Sequence, residues 1–256
     1  MDDLGRLDTP LHRLDARVKV LATLAFIAVV VSRDRYAVSA LVPLALYPIA
    51  LIAVGRLPVR ALARKALAAA PFAILVGAFN PWFDRRPMAV IGPWTLSAGW
   101  ISFISILLRF GLTVTAALAL VAGTGMHRLC AALTQLGMPR AFVTQLLLLY
   151  RYLFVIAEQA GRTHRAARLR AGGRAPRLRA FGSMIAMLLL RSLDRADRVY
   201  RAMRARGFDG RIRSPRPLRL RPCDVGFLGG CLAFFAAARI WNLAEMAGRL
   251  IVDGAP

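Results

Sequence analysis

The sequence predicts an all-α integral membrane protein, with about five transmembrane helices and long cytoplasmic helices inserted before the last span. Three observations carry this. First, the 256-residue chain is 58% hydrophobic with a mean hydropathy of +0.54 and is only 19% charged, whereas soluble domains are roughly half apolar and about a quarter charged. Second, the charge is almost one-signed, 36 basic residues against 13 acidic, a net of +23. Third, that excess is concentrated. Residues 126–222 hold 21 arginines and 4 acids, a net of +17, and the rest of the chain carries only +6. Disorder is excluded, because disordered chains lack this apolar mass. A membrane protein with a basic cytoplasmic face and a basic nucleic-acid binder both fit the composition, and the position of the charge separates them.

The start, Met1-Asp2-Asp3-Leu4, lacks the basic region and early apolar core of a signal peptide. The first apolar run, Val18–Ser32, is therefore expected as a retained span, short but flanked by Arg17 and Lys19, which can snorkel. Tyr36–Val54 is uncharged and contains Pro43 and Pro48, which spans tolerate better than soluble helices do. Ala61–Phe79 carries Arg64 and Lys65 at its start and is clean from Ala66. Trp100–Gly123 holds one charge, Arg109, and Val225–Leu243 one, Arg239. A span needs roughly 20 apolar residues, so these are the five. Charges inside spans suggest function by default, but Arg109 and Arg239 both lie near enough to an end to snorkel.

Two further apolar runs, Ala141–Ala157 and Phe181–Leu193, contain Arg151 and Arg191 and run on into strongly basic segments. Each reads as the buried half of a long amphipathic helix of about thirty residues rather than a span. Gly137-Met138-Pro139 precedes the first and Gly172-Gly173 ends it; Pro176 lies near the start of the second and Gly207 closes it. On the second, Leu189, Leu193, Ala196, Tyr200 and Met203 recur at steps of four and three, one continuous stripe. Asp194 with Arg198, Asp197 with Arg201, and Glu158 with Arg162 are spaced one turn apart as ion pairs. The expected organisation is a four-span membrane part over residues 1–125, a cytoplasmic helical region over 126–222, and a last span over 223–256. Basic residues are richer in alternate loops and overwhelming in the large one, which places the N-terminus and the insertion on the cytoplasmic side.

Several chemistries have no carrier. The only lysines, Lys19 and Lys65, follow no phosphate-binding loop, and there is no GxSxG, HExxH or GxGxxG. Cys130, Cys223 and Cys231 form no CxxC. His127, three residues before Cys130, could ligate a metal from one helix face or be a plain interfacial histidine. Much of the insertion's charge serves orientation and contact with anionic lipid. That leaves two helices ending in arginines beside small residues, Arg168-Leu169-Arg170-Ala171-Gly172 and Arg204-Ala205-Arg206-Gly207. Such a guanidinium is unobstructed and can pair bidentately with a partner carboxylate or cap partner carbonyls. A membrane-anchored nucleic-acid binder remains the reading from another class, weakened by the sparse aromatics (Tyr200, Phe208) among the arginines.

At these motifs the chain resembles the transmembrane T component of energy-coupling-factor ABC transporters, in its cobalt/nickel, CbiQ-type branch. The carrying segments are Leu11-His12-Arg13-Leu14-Asp15-Ala16-Arg17-Val18-Lys19, Phe79-Asn80-Pro81-Trp82-Phe83-Asp84-Arg85, Tyr150-Arg151-Tyr152-Leu153-Phe154-Val155, Leu189-Leu190-Arg191-Ser192-Leu193-Asp194-Arg195-Ala196 and Ala205-Arg206-Gly207-Phe208-Asp209-Gly210. The resemblance implies a non-catalytic coupling subunit of the bacterial inner membrane, for cobalt or nickel uptake or, alternatively, serving a vitamin. It implies two cytoplasmic ABC ATPase subunits and a separate, CbiM-like substrate-binding membrane subunit as partners, with ATP and the metal held by them and no cofactor or nucleic acid on this chain. Ala205, Arg206 and Gly207 match the family's ATPase-docking motif directly. Leu169, Arg170 and Ala171 fit the first such motif best, with Ala167-Arg168 as a rival register. The stripe Leu189, Leu193, Ala196, Tyr200 and Met203 would carry the substrate subunit. Asp15, Arg17, Asp84 and Arg85 read most simply as loop charges and helix caps.

Overall fold

The structure is a computed structural model and describes residues 14–34, 38–83, 87–91, 94–173, 178–210 and 220–240. Expectations for Leu11 to Arg13, Tyr36, Asp84, Arg85 and Trp241 to Leu243 lie outside those residues. The chain forms two compact units. One is residues 1–132 together with 217–256, and the other is Leu133–Arg216.

In the first unit, α1 (Ala16–Val31) starts at Asp15, whose carboxylate accepts the Arg17 backbone N–H at 2.9 Å. Two 3₁₀ turns (Ser39–Leu41 and Pro43–Ala45) lead into α2 (Leu46–Gly55). The expected Tyr36–Val54 span is thus broken at its start, because Pro43 has no N–H to give a preceding carbonyl. Pro48 does no such harm in the first turn of α2, where no intrahelical donor is needed. Helix α3 (Val59–Ala78) and a single turn, α4 (Asn80–Phe83), precede an antiparallel hairpin of β1 (Pro87–Ile91) and β2 (Trp94–Ser97). No strand was expected there. The β-branched and aromatic residues Val90, Ile91, Trp94 and Thr95 on either side of Gly92-Pro93 were the available signal. Helix α5 (Ala98–Thr124) follows, then α6 (Met126–Gln135), which crosses from the first unit into the second. The last described helix of the first unit, α9 (Pro222–Ile240), comes after the second unit in sequence.

Helix α5 is the centre of this unit and packs on α1, α2, α3 and α4. Its buried face is mostly small, with Ser102, Ser105, Ala116, Ala119 and Ala122, which lets backbones approach. At Gly77 of α3 a Cβ would come within 2.7 Å of the Phe103 ring. The aromatic core is Phe26, Tyr47 and Phe235, one each from α1, α2 and α9, with ring centres 4.8 to 5.7 Å apart. The Thr23 hydroxyl donates to the Lys19 carbonyl and lies 2.8 Å from the Tyr47 hydroxyl, which satisfies both buried groups.

Helix direction is fixed by contacts at both ends. The N-termini of α1 and α9 meet through Asp15 and Asp224, and their C-termini through Arg33 to Ala238 and Arg239 to Ser32. They are therefore parallel. Lys19 near the start of α1 bonds Gly123 at the end of α5, so α5 runs the other way. These directions agree with the alternation expected for the first, fourth and fifth spans.

Among the described residues, four helical stretches are long and apolar enough to cross a membrane: Val59–Trp82, Ala98–Thr124, Arg140–Arg170 and Pro222–Ile240. Three of them are expected spans. Two expected spans fall short, α1 with 16 residues and the interrupted Ser39–Gly55 stretch. A 16-residue helix is about 24 Å long against a hydrocarbon core of about 30 Å. Arg140–Arg170 meets the same length and composition criterion through the apolar run Ala141–Ala157, which the sequence assigns to an amphipathic coupling helix. Large apolar side chains such as Leu67, Phe72 and Leu75 on α3 remain 62–72% exposed, as lipid-facing residues are in a chain taken without its bilayer.

Candidate coupling interface

The second unit is built from two long helices, α7 (Arg140–Arg170, 31 residues) and α8 (Leu178–Ala205, 28 residues). They run in opposite senses. The His164 ring of α7 lies 5.8 Å from the Phe181 ring near the start of α8. At the other end, the Thr144 hydroxyl near the start of α7 donates to the Gly210 carbonyl beyond α8 at 3.2 Å. A straight 28-residue helix is about 42 Å long. Arg206 therefore lies roughly that distance along α8 from the turn that follows Arg170.

Each helix closes with the same cap. After α8, the N–H of Phe208 donates to the Met203 carbonyl at 3.0 Å and that of Gly207 to Arg204 at 3.0 Å, with Gly207 at φ 76°. After α7, the N–H of Gly173 donates to Arg168 at 2.9 Å and that of Gly172 to Leu169 at 3.1 Å, with Gly172 at φ 63°. Both follow the Schellman pattern, in which glycine takes the left-handed position without a Cβ clash. Aligning the caps sets Gly172 against Gly207 and Ala171 against Arg206. Arg170 is then one residue nearer the helix than Arg206, and Arg168 three. The same turn chemistry thus presents two arginine-bearing ends. Arg168, Leu169, Arg170, Ala171, Ala205, Arg206 and Gly207 are all exposed, so their guanidiniums are accessible to a partner.

On α8 the stripe divides. Leu189, Leu193, Ala196 and Tyr200 are exposed, while Met203 is half-buried on the face with Met184, Leu188 and Val199. Leu189 and Leu193 are each 58% exposed and Tyr200 54%. On α7, Phe142, Leu149, Leu153 and Phe154 are exposed as well. Such apolar faces beside a membrane require lipid or protein to cover them. Between the helices, Glu158, Arg162, Arg191 and Arg195 line a cleft of about 450 Å³ with Val155, Gln159 and Thr163. The Glu158–Arg162 and Asp197–Arg201 pairs form as their spacing predicts.

The family model for the cobalt transport protein CbiQ matches residues 8–217. The chain belongs to the CbiQ cobalt transport family. Among CbiQ relatives, the cobalt transport protein CbiQ of Rhodobacter capsulatus is 34% identical over 112 residues, 43% of this chain and 45% of that protein. A protein of Methanocorpusculum labreanum named as a fused cobalt transport protein, CbiMQ, is 30% identical over 94 residues, 36% of this chain and 16% of its own length. The chain thus aligns with less than half the length of the curated relatives it matches.

Other charges of this CbiQ-family chain find backbone partners. Arg109 donates to the Asp34 carbonyl and Arg239 to Ser32 at 3.0 Å, both at the loop closing α1. Each side chain thus has a backbone carbonyl as its partner. Burial and the neighbouring Arg239 lower the pKa of Arg33 in that loop. His127 is half-buried and Cys130 buried on α6, and among the described residues no group of three His, Cys, Asp or Glu side chains stands together.

The sequence reading missed one feature of weight. Asp15, Lys19 and Asp224 are 3%, 1% and 2% exposed. Both Asp224 oxygens accept backbone N–H groups, Oδ1 from Asp15 at 2.9 Å and Oδ2 from Arg221 at 2.8 Å. The second bond is the reach-back of a capping box, and an acid two residues after Pro222 was its signal. The bond to Asp15, 209 positions away in sequence, had no signal in the sequence.

Proposed function

We propose that this chain is the transmembrane coupling subunit of an energy-coupling-factor importer for cobalt or nickel. The observation that carries this reading is the pair of matching glycine caps with exposed arginines, one at the end of each long, oppositely directed helix. Two separated and chemically similar ends suit two copies of one ATPase. Arg206 docks one copy and Arg170 the other. ATP-driven closure of the ATPase pair then moves both ends, and the helices pass the movement to a substrate-binding membrane subunit. That subunit rides on the exposed Leu189, Leu193, Ala196 and Tyr200 stripe, and the name of the fused CbiMQ relative supports a CbiM-like partner. ATP and the metal ion stay on the partners, and the chain contributes positioning rather than chemistry. The N-terminus and the second unit face the cytoplasm of a bacterial inner membrane.

The test is to purify the tagged protein from its host membrane under mild detergent and identify what accompanies it. Two ATPase copies and one small metal-binding membrane subunit are expected per chain. Recovery alone, or with nucleic acid, refutes the reading.

A further inference from the structure

The chain leaves the first unit after Ala132 and re-enters it at Pro217. Residues flanking both crossings, Arg128 of α6 and Asp224 of α9, bond the same few residues at the start of α1. On the leaving side, the Lys19 ammonium donates to the Gly123 carbonyl at the end of α5 at 3.2 Å. Arg128 of α6 donates to the Leu14 carbonyl at 3.3 Å. A single residue, Gly125 at φ 77°, joins α5 to α6, and its N–H and carbonyl are both hydrogen-bonded, to Val121 and Leu129. This exit is therefore stiff. On the returning side, the Asp224 carboxylate holds the Asp15 and Arg221 N–H groups at once.

Apolar contact would hold these helices together without charge. Val18, Val20 and Phe26 of α1 and Phe235 of α9 are already buried. Burying Asp15, Lys19 and Asp224 beside them adds little stability, since desolvation offsets much of the attraction. What charged groups add is direction. Apolar faces can slide or rotate at small cost, whereas an Asp224 carboxylate bonded both to Arg221 beside it and to Asp15, 209 residues away in sequence, fixes their relative position.

We infer that the buried Asp15, Lys19 and Asp224 cluster, with Arg128, is the anchor through which movement of the coupling helices enters the membrane unit, and that Asp224 and Lys19 are positioning residues for transport. This rests on the coupling role proposed above. With the anchor intact, displacement that reaches α6 and the start of α9 is delivered to α1 and α5. With it loosened, the displacement is absorbed at the connections, and ATP is spent without transport.

The experiment uses the whole transporter, co-expressed with its ATPases and substrate subunit and reconstituted in liposomes. Wild type, Asp224→Asn and Lys19→Met are compared for assembled complex, ATP hydrolysis and uptake of cobalt(II), with nickel(II) in parallel. The expected result is assembled complex that still hydrolyses ATP but takes up at least tenfold less metal per ATP. A purely structural role lowers the yield of complex and leaves metal per ATP unchanged, and that outcome overturns the inference. Failure of both variants to assemble overturns it too, because the cluster would then serve folding alone. If the wild-type complex lacks ATPase or moves neither metal, the coupling role itself fails; unaffected variants in a working transporter remove only the anchor.

Discussion

Arg206→Ala separates docking from net charge. Arg206 lies one residue past the end of α8 and is exposed, and the Gly207 cap uses backbone bonds that its side chain does not enter. Truncation should therefore change the chain's own stability by no more than about 0.5 kcal/mol, the usual range for surface substitutions. If the guanidinium pairs with an ATPase carboxylate, its loss removes a hydrogen bond to a charged group, about 1.5–3 kcal/mol. At about 1.4 kcal/mol per factor of ten, that weakens docking at this end by roughly 10- to 150-fold. The other end, about 42 Å away along α8, keeps its affinity. Titration of purified ATPase onto the detergent-solubilised chain should then show one site intact and one weakened, with unchanged thermal unfolding. The control is Arg198→Ala, which removes the same charge from an exposed site on α8 and should leave both sites within twofold. Equal behaviour of Arg206→Ala and Arg198→Ala would refute a specific docking role and leave only the field of the +17 region.

Three further outcomes are expected. Gly77→Ala brings a Cβ to 2.7 Å from the Phe103 ring, an overpacking worth about 1–3 kcal/mol; it should lower the thermal midpoint in detergent, and Phe103→Leu in the same chain should recover most of the loss. Burial pushes the Cys130 thiol above its ordinary range while Cys223 is exposed, so maleimide at neutral pH should label Cys223 and spare Cys130, whose thiolate forms only at higher pH; equal labelling of single-cysteine variants argues against the packing of α6. With the cytoplasmic orientation proposed here, Cys223 in intact cells should react with a membrane-permeant maleimide and not with an impermeant one, and labelling by the impermeant reagent reverses the topology.

The two long helices were legible because their signals are local. Glycine at 172 and 207 marks where a chain can enter the left-handed region, and the four-and-three spacing of Leu189 to Met203 marks one helical face. The exposed state of most of that face was open, since periodicity identifies a stripe without saying what covers it. Span lengths were only partly legible. Hydropathy counts apolar residues regardless of backbone geometry, so it could not register that Pro43 splits the second run into 3₁₀ turns.

The sequence alone determined that this is a helical membrane protein, that its positive charge belongs to one insertion, and that two arginine-bearing caps close the insertion's helices. Composition, turn chemistry and periodicity each depend on residues within a few positions of one another, so a linear reading captures them. Tertiary structure alone decided what brings distant segments together. Asp15 and Asp224 look like ordinary helix caps until α1 and α9 lie side by side with their starts in register. Lys19 looks like a snorkelling residue until the end of α5 places the Gly123 carbonyl 3.2 Å from its ammonium. A buried charge takes its meaning from the partner that makes burial tolerable, and here the partners of Asp15 and Lys19 are 209 and 104 positions away.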